Sequence, residues 1–267
     1  MNDEVIKSPS NRKIKYVQSI LGKASKRRRD NVYVVEGIRM VVDAPIDDIH
    51  SIYISDELLS GCSKKLSDFL DACDGNGKDI NIVSSNIIGL ISDTVTPQGI
   101  VAVINRRDNP TFGDADTFLL LEDVQDPGNL GTLFRTAEAA GVDMVIMSQG
   151  CVDIYNPKTI RSTMGTIYRM PFVQCADESE WYESINSLKD RGIKLYGGCL
   201  EDSKYYADVD LRGGCAIVIG NEGNGITSDT LALIDKVHIP MEGEIESLNA
   251  SVAGSILMYE MNRQRRM

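Results

Sequence analysis

Ile239-Pro240-Met241-Glu242-Gly243-Glu244-Ile245-Glu246-Ser247-Leu248-Asn249-Ala250-Ser251-Val252-Ala253-Gly254 is where the pattern of this chain changes from strand to loop to helix. Val237 and Ile239 run as a strand into Pro240, which has no N–H to give to a sheet ladder. A loop with one glycine and three acids follows. From Asn249 the apolar spacing is helical, through Val252, Ala253, Ile256, Leu257 and Tyr259,. Ser247 and Asn249 both suit a helix N-terminus. Free N–H groups there, at the positive end of the helix, can hold a polar or anionic ligand. On these residues alone, a plain helix cap and a ligand site are equally good readings.

The chain has 267 residues, room for one large domain or two modest ones,. No apolar run nears the roughly 20 residues of a membrane span. Met1-Asn2-Asp3-Glu4 lacks the basic-then-apolar layout of a signal peptide, so a cytoplasmic protein is expected,. Six scattered cysteines form no C-x-x-C pair. Cys199 and Cys215, in or beside apolar runs, are expected to be buried free thiols,. With His50 and His238 the only histidines, neither a metal site nor a histidine-activated nucleophile is expected,.

The net charge is −11, unevenly placed. Residues 1–30 hold nine basic side chains against three acids, or +6, leaving −17 for the remainder. Such asymmetry points to a polyanion-binding arm, though a merely solvated basic helix has the same composition.

In chain order, residues 11–29 read as a helix with an apolar stripe (Ile14, Val17, Ile20, Leu21) and a basic end at Lys26-Arg27-Arg28-Arg29. Strands at 32–35, 50–55, 80–83 and 99–104 alternate with helices at 38–43, 66–73 and 86–91, a small α/β layer. Polar residues with Pro110 and Gly113 form a linker over 106–116, dividing a first domain, 1–105, from a second, 117–267,. Thr117 to Glu122 is apolar enough for a strand buried on both faces. After it, strands at 144–147, 172–174, 193–197, 215–220 and 237–239 alternate with helices at 129–140, 158–165, 179–189 and 228–234 and a C-terminal helix. That is the pattern of a parallel sheet, whose ligand sites lie at the carboxyl ends of strands.

Two further loops follow strand ends. In Asp126-Pro127-Gly128-Asn129-Leu130-Gly131-Thr132-Leu133-Phe134-Arg135-Thr136-Ala137, Asn129 reads as a helix cap and Arg135 as a solvated arginine. Equally, Arg135 on a packed helix offers a planar fork for phosphate. Gly220-Asn221-Glu222-Gly223-Asn224-Gly225 lets a ligand approach backbone closely, but its G-x-x-G-x-G order is not the dinucleotide fingerprint,.

Together the three loops resemble the signature motifs of the SpoU (TrmH-like) RNA ribose 2′-O-methyltransferases of the SPOUT superfamily. The D-P-x-N-x-G…R-T-A frame matches 126–137, G-x-E-G-x-G matches 220–225, and I-P-M…S-L-N…S-V-A matches 239–253; Arg161-Ser162-Thr163-Met164-Gly165 is also family-like. Through Ile14-Lys15 and Val35-Glu36-Gly37 the first hundred residues resemble, more loosely, the family's L30e-like substrate-binding domain.

The resemblance implies an α/β SPOUT domain tied in a deep trefoil knot, where pattern alone gives an ordinary doubly wound sheet because knotted chains are rare. It also implies a homodimer, S-adenosylmethionine as methyl donor, and RNA as substrate, with ribosomal RNA preferred. The site residues carried over are Asn129, Arg135, Glu222, Ser247 and Asn249 for catalysis, and Gly220, Ile239 and Leu248 for the cofactor. Arg135 is expected to bind phosphate and orient the hydroxyl rather than act as a base, since a guanidinium rarely gives up its proton. Glu222 is expected to orient Asn129 or its loop. The RNA face is expected at Arg12, Lys13, Lys15, Lys26, Arg27, Arg28, Arg29 and Arg161, with support from Lys158 and Arg169. The alternatives are a catalytically silent RNA-binding protein that retains the knotted fold, and a small-molecule enzyme with a nucleotide cofactor.

Overall fold

A computed structural model describes residues 2–107, 110–245 and 247–267. The expected linker therefore includes Asp108 and Asn109, and the acidic loop Glu246, outside the described residues. By packing, the chain forms two units: residues 1–108 with 155–168, and 109–154 with 169–267.

In the first unit, β1 (Asn2–Ile6) leads to α1 (Arg12–Gly22), α2 (Ala24–Asp30), β2 (Val32–Glu36), α3 (Ile38–Val42) and β3 (Ile49–Ser55). Then come α4 (Asp56–Ser60), α5 (Lys64–Gly75), β4 (Asp79–Val83), α6 (Ser85–Leu90) and β5 (Ile100–Asn105). The sheet order is β1-β4-β3-β5-β2, with β5 antiparallel to both its neighbours. The single helix expected over 11–29 is two, because Lys23 is extended and ends the first at Gly22. The apolar stripe of α1, Ile14, Val17 and Ile20, is fully buried against β2, β3 and β5.

The second unit begins with β6 (Thr117–Leu121), α7 (Pro127–Ala140) and β7 (Met144–Met147). The chain next supplies α8 (Pro157–Thr163), which packs with β2 in the first unit although the sequence assigned it to the second domain. The second unit resumes with β8 (Phe172–Gln174), α9 (Glu178–Asp190), β9 (Lys194–Gly198), β10 (Lys204–Tyr205), β11 (Cys215–Ile219), α10 (Ser228–Leu231), β12 (Asp235–His238) and α11 (Ala250–Arg265). Its seven-stranded sheet, β10-β12-β9-β11-β6-β7-β8, is parallel throughout.

Every residue of β6, β7 and β11 is buried, as unbroken apolar runs in a two-sided sheet require,. Ile219 pairs with Leu121, and Val237 with Gly198, so the loops after β6, β11, β9 and β12 all leave from the same edge. α11 lies on α7 and β11. The approach is close at Gly254, where a methyl group would sit 2.5 Å from Leu133 Cδ2.

Candidate functional site

The glycine loop after β11 folds back on itself. Asn221 and Gly225 exchange backbone hydrogen bonds of 3.0 and 2.9 Å, and the Asn221 side chain accepts the Gly223 and Asn224 amides. At Gly220 a Cβ would lie 2.2 Å from the Gly225 carbonyl carbon, so only glycine allows this return,.

Asn129 is not the cap of α7, contrary to its reading as a helix start. Asp126 caps the helix by accepting the Asn129 amide at 2.8 Å, with Pro127 in the first turn, where its missing N–H costs nothing,. The Asn129 side chain is left to work elsewhere. Its Nδ2 donates to Glu222 Oε1 at 3.0 Å, and its Oδ1 accepts from Asn249 Nδ2 at 2.9 Å. Asn249 is the N-cap of α11, and its Oδ1 accepts the Ser251 amide, the Ser251 hydroxyl and the Val252 amide. One polar chain thus joins three loops spread over 120 residues of sequence.

Glu222 receives two more hydrogen bonds, from the Gln125 amide at 3.1 Å and the Asp126 amide at 3.0 Å. Burial pushes its carboxyl up, but the Asn129 amide and the two backbone N–H groups outweigh that and hold it below its ordinary value,. A carboxylate so occupied orients its neighbours and is poorly placed to take a proton.

Beside this chain lies a cavity of about 230 Å³. Gly220, Glu222, Ile239, Ser247 and Leu248 line it, together with Cys199, Leu200, Met241 and Leu257. All three expected cofactor contacts are therefore on its wall. Asn129 and Asn249 are joined to it through Glu222. Arg135 lies on a packed helix as expected, since Leu130, Leu133, Phe134 and Ala137 of α7 are buried, but its own side chain is exposed and makes no hydrogen bond or ion pair among the described residues. Nothing in sequence pointed to Cys199 and Leu200, which reach the cavity only because β9 lies between β11 and β12. Cys215 is buried as expected, whereas Cys199 is half-buried on the cavity wall. Among the described residues no group of three His, Cys, Asp or Glu could hold a metal.

The basic residues of the first unit divide into two sets. Arg27 is buried, its guanidinium donating to the Ile20 and Leu21 carbonyls at 2.7 and 3.0 Å; it closes the C-terminus of α1 rather than facing solvent,. Lys13 is held by Asp79 and Asn81, and Lys26 by Asp30 and the Tyr16 ring. Arg161 pairs with Glu36 and Asp93, Arg29 with Asp30, and Arg169, in the second unit, with Glu138. Arg12, Lys15, Lys23 and Arg28 are exposed and make no ion pair among the described residues.

The model of the SpoU rRNA Methylase family matches residues 116–259, and that of the MRM3-like substrate binding domain residues 11–102. The chain is 33% identical over 257 residues, covering 96% of it and 98% of the relative, to the 23S rRNA (guanosine(2553)-2′-O)-methyltransferase RlmP of Bacillus subtilis. It is 27% identical to the mitochondrial rRNA methyltransferase 3 of Homo sapiens, covering 97% of this chain and 74% of that one. Among solved structures, the SpoU methyltransferase AviRb from Streptomyces viridochromogenes, in complex with the cofactor AdoMet, superposes with a TM-score of 0.83 at 26% identity, covering 96% of this chain and 99% of that one.

Proposed function

The chain belongs to the SpoU rRNA methylase family, and from that membership we propose that it transfers a methyl group from S-adenosylmethionine to a ribose 2′-hydroxyl of ribosomal RNA. The observation that carries this reading is the cavity walled by two family motifs, 220–225 and 239–253, with the third joined to them through the Asn249–Asn129–Glu222 chain. A silent RNA-binding protein has no need of that arrangement.

The cavity suits the cofactor. Apolar faces of Ile239, Met241, Leu248 and Leu257 can cover an adenine, and backbone groups around Gly198 and Gly220 can read its edge,. When bound, S-adenosylmethionine supplies a methyl group on a positively charged sulfur. Glu222 fixes the Asn129 amide, and Asn249 fixes it from the other side. Ser247, exposed at the cavity mouth just before the α11 cap, offers a hydroxyl to phosphate or ribose. Arg135 binds phosphate and orients the 2′-hydroxyl, its proton leaving late to solvent.

Arg12 and Lys15 on α1, Lys23 between the helices and Arg28 on α2 form the RNA face, Lys13, Lys26, Arg27, Arg29 and Arg161 being engaged within the protein. Residues 1–105 bind RNA, 106–116 link, and 117–267 carry the chemistry. The segment after β12 threads the fold as a trefoil knot before α11. The exposed Val252 and Tyr259 of α11 face a second copy in a homodimer. Among the described residues no helix is long and apolar enough to cross a membrane.

Mapping ribose 2′-O-methyl sites in ribosomal RNA from cells with and without the protein tests the reading. One nucleotide should lose its methyl group in the deletion strain. An unchanged map, with no calorimetric binding of S-adenosylmethionine, would leave the silent RNA binder.

A further inference from the structure

One buried cluster of the second unit has no part in the chemistry above. Glu122, at the end of β6, is 4% exposed, Thr230 is 0% and Trp181 is 2% exposed. Glu122 Oε2 accepts the Thr227 amide at 2.9 Å. Its Oε1 accepts the Thr227 hydroxyl at 2.9 Å and the Thr230 hydroxyl at 2.5 Å. Thr230 Oγ1 in turn accepts the indole N–H of Trp181, the single tryptophan, at 3.2 Å. None of these four residues lines the cavity. Thr227, however, stands two residues beyond Gly225, where the glycine loop ends.

The same two segments meet at three more points. The Asn221 side chain donates to the Asp123 carbonyl at 2.9 Å, and Glu222 accepts the Gln125 and Asp126 amides. Asp123 has a left-handed backbone, φ +56°, uncommon for a residue with a side chain,. Such a conformation persists only where its surroundings over-determine it. A buried carboxylate that loses its donors is costly, so this clamp does not open readily.

We propose that Glu122 is a positioning residue for the cofactor loop: clamped on Thr227 and Thr230, it holds the return of residues 220–227 against the end of β6, and Trp181 senses that clamp. The proposal rests on the methyltransferase reading. A loop held in its bound shape spares the ligand the cost of ordering it. Glu122 touches neither donor nor acceptor, so loosening the clamp weakens cofactor binding and leaves the methyl-transfer step nearly intact.

The test compares wild type, Thr230→Val and Thr230→Ser for KM and kcat, for calorimetric Kd toward S-adenosylmethionine, and for Trp181 emission. Thr230→Val should raise KM and Kd about tenfold, the effect of one lost buried hydrogen bond, with kcat within about twofold. Thr230→Ser keeps the hydroxyl and should restore both. A folded Thr230→Val protein with wild-type KM, or one whose kcat falls as far as its affinity, overturns the proposal. If Thr230→Val does not fold, wild-type Trp181 emission decides. Because the clamp is already set in the free protein, emission should stay the same on titration with S-adenosylmethionine, and a change that follows the calorimetric Kd overturns the clamp. Wild-type protein that binds no S-adenosylmethionine overturns the methyltransferase reading instead, a result separate from equal binding by both proteins.

Discussion

Asn129 can hold its amide in one orientation only. Asn249 Oδ1 is committed to three donors at the start of α11, so Asn249 must present its N–H to Asn129, and Asn129 must present its own to Glu222. Glu222→Gln therefore sets an N–H₂ against a donor in either orientation: against the Gln125 amide, or against the Asp126 amide and Asn129, where flipping Asn129 only moves the conflict to Asn249. We expect about a tenfold or greater loss in cofactor affinity, measured by calorimetry. The variant also carries a pH signature. The Glu222 carboxyl is held below its ordinary 4.5 in the folded protein, so its contribution to stability is complete above that pH and fades as the pH falls through the lower, folded-state value,. Wild type should lose melting temperature below about pH 4.5 more steeply than Glu222→Gln; parallel curves would remove Glu222 from the acid response. Arg135, exposed and unpaired among the described residues, makes the opposite case. Nothing in the free protein depends on it, so Arg135→Lys should keep the melting temperature while kcat/KM falls about tenfold or more, because a lysine cannot present a bidentate fork. Near-normal turnover by Arg135→Lys would sink the need for that fork.

At the scale of elements, the basic α1–α2 pair contains two kinds of arginine that sequence does not separate. Arg27 ties off the last turn of α1, whereas Arg28, next to it, is exposed. Arg27→Ala should destabilise the protein by about 2 kcal/mol, the scale of hydrogen bonds from a charged group, as read by urea unfolding. Replacing Arg12, Lys15 and Arg28 by Ala should leave stability within about 0.5 kcal/mol and weaken RNA binding. The slope of log affinity against log salt should flatten by about 0.7 for each phosphate no longer neutralised. An unchanged slope would move the RNA face elsewhere. The break at Lys23 is why the two sets differ: it ends α1 at Gly22 and lets α2 turn Arg27 back onto the carbonyls of α1.

Across the whole molecule, the thiols report on packing and on the cavity together. Burial pushes Cys73 and Cys151 up to about 11 and Cys215 up to about 12, which keeps them protonated and unreactive near neutrality,. Cys62 and Cys199 are the two half-buried cysteines, and Cys199 lies on the cavity wall. In native protein, iodoacetamide should label these two, and S-adenosylmethionine should protect Cys199 alone. Equal labelling of Cys199 with and without the cofactor would place the ligand elsewhere.

Much of this arrangement was legible in the chain itself. Periodicity located nearly every strand and helix of the parallel sheet, because buried strands must be apolar throughout and helix ends must be capped. The motif residues Gly220, Ile239, Leu248, Glu222 and Ser247 were named from sequence, and all line the cavity. β1, α4 and β10 went unread: β1 (NDEVI) and β10 (KY) are too polar to show an apolar run, and the five residues of α4 are too few to show a helical period. Folding decided what pairing decides. Asn129 became a link rather than a cap because Asp126, three residues earlier, was the better cap. Arg27 was withdrawn from the basic face, and residues 155–168 joined the first unit, because packing follows proximity in space and not order along the chain. Sequence carries which chemical groups are present; which of them meet, and which are used up in meeting, is fixed only when distant loops are brought to one edge of a sheet.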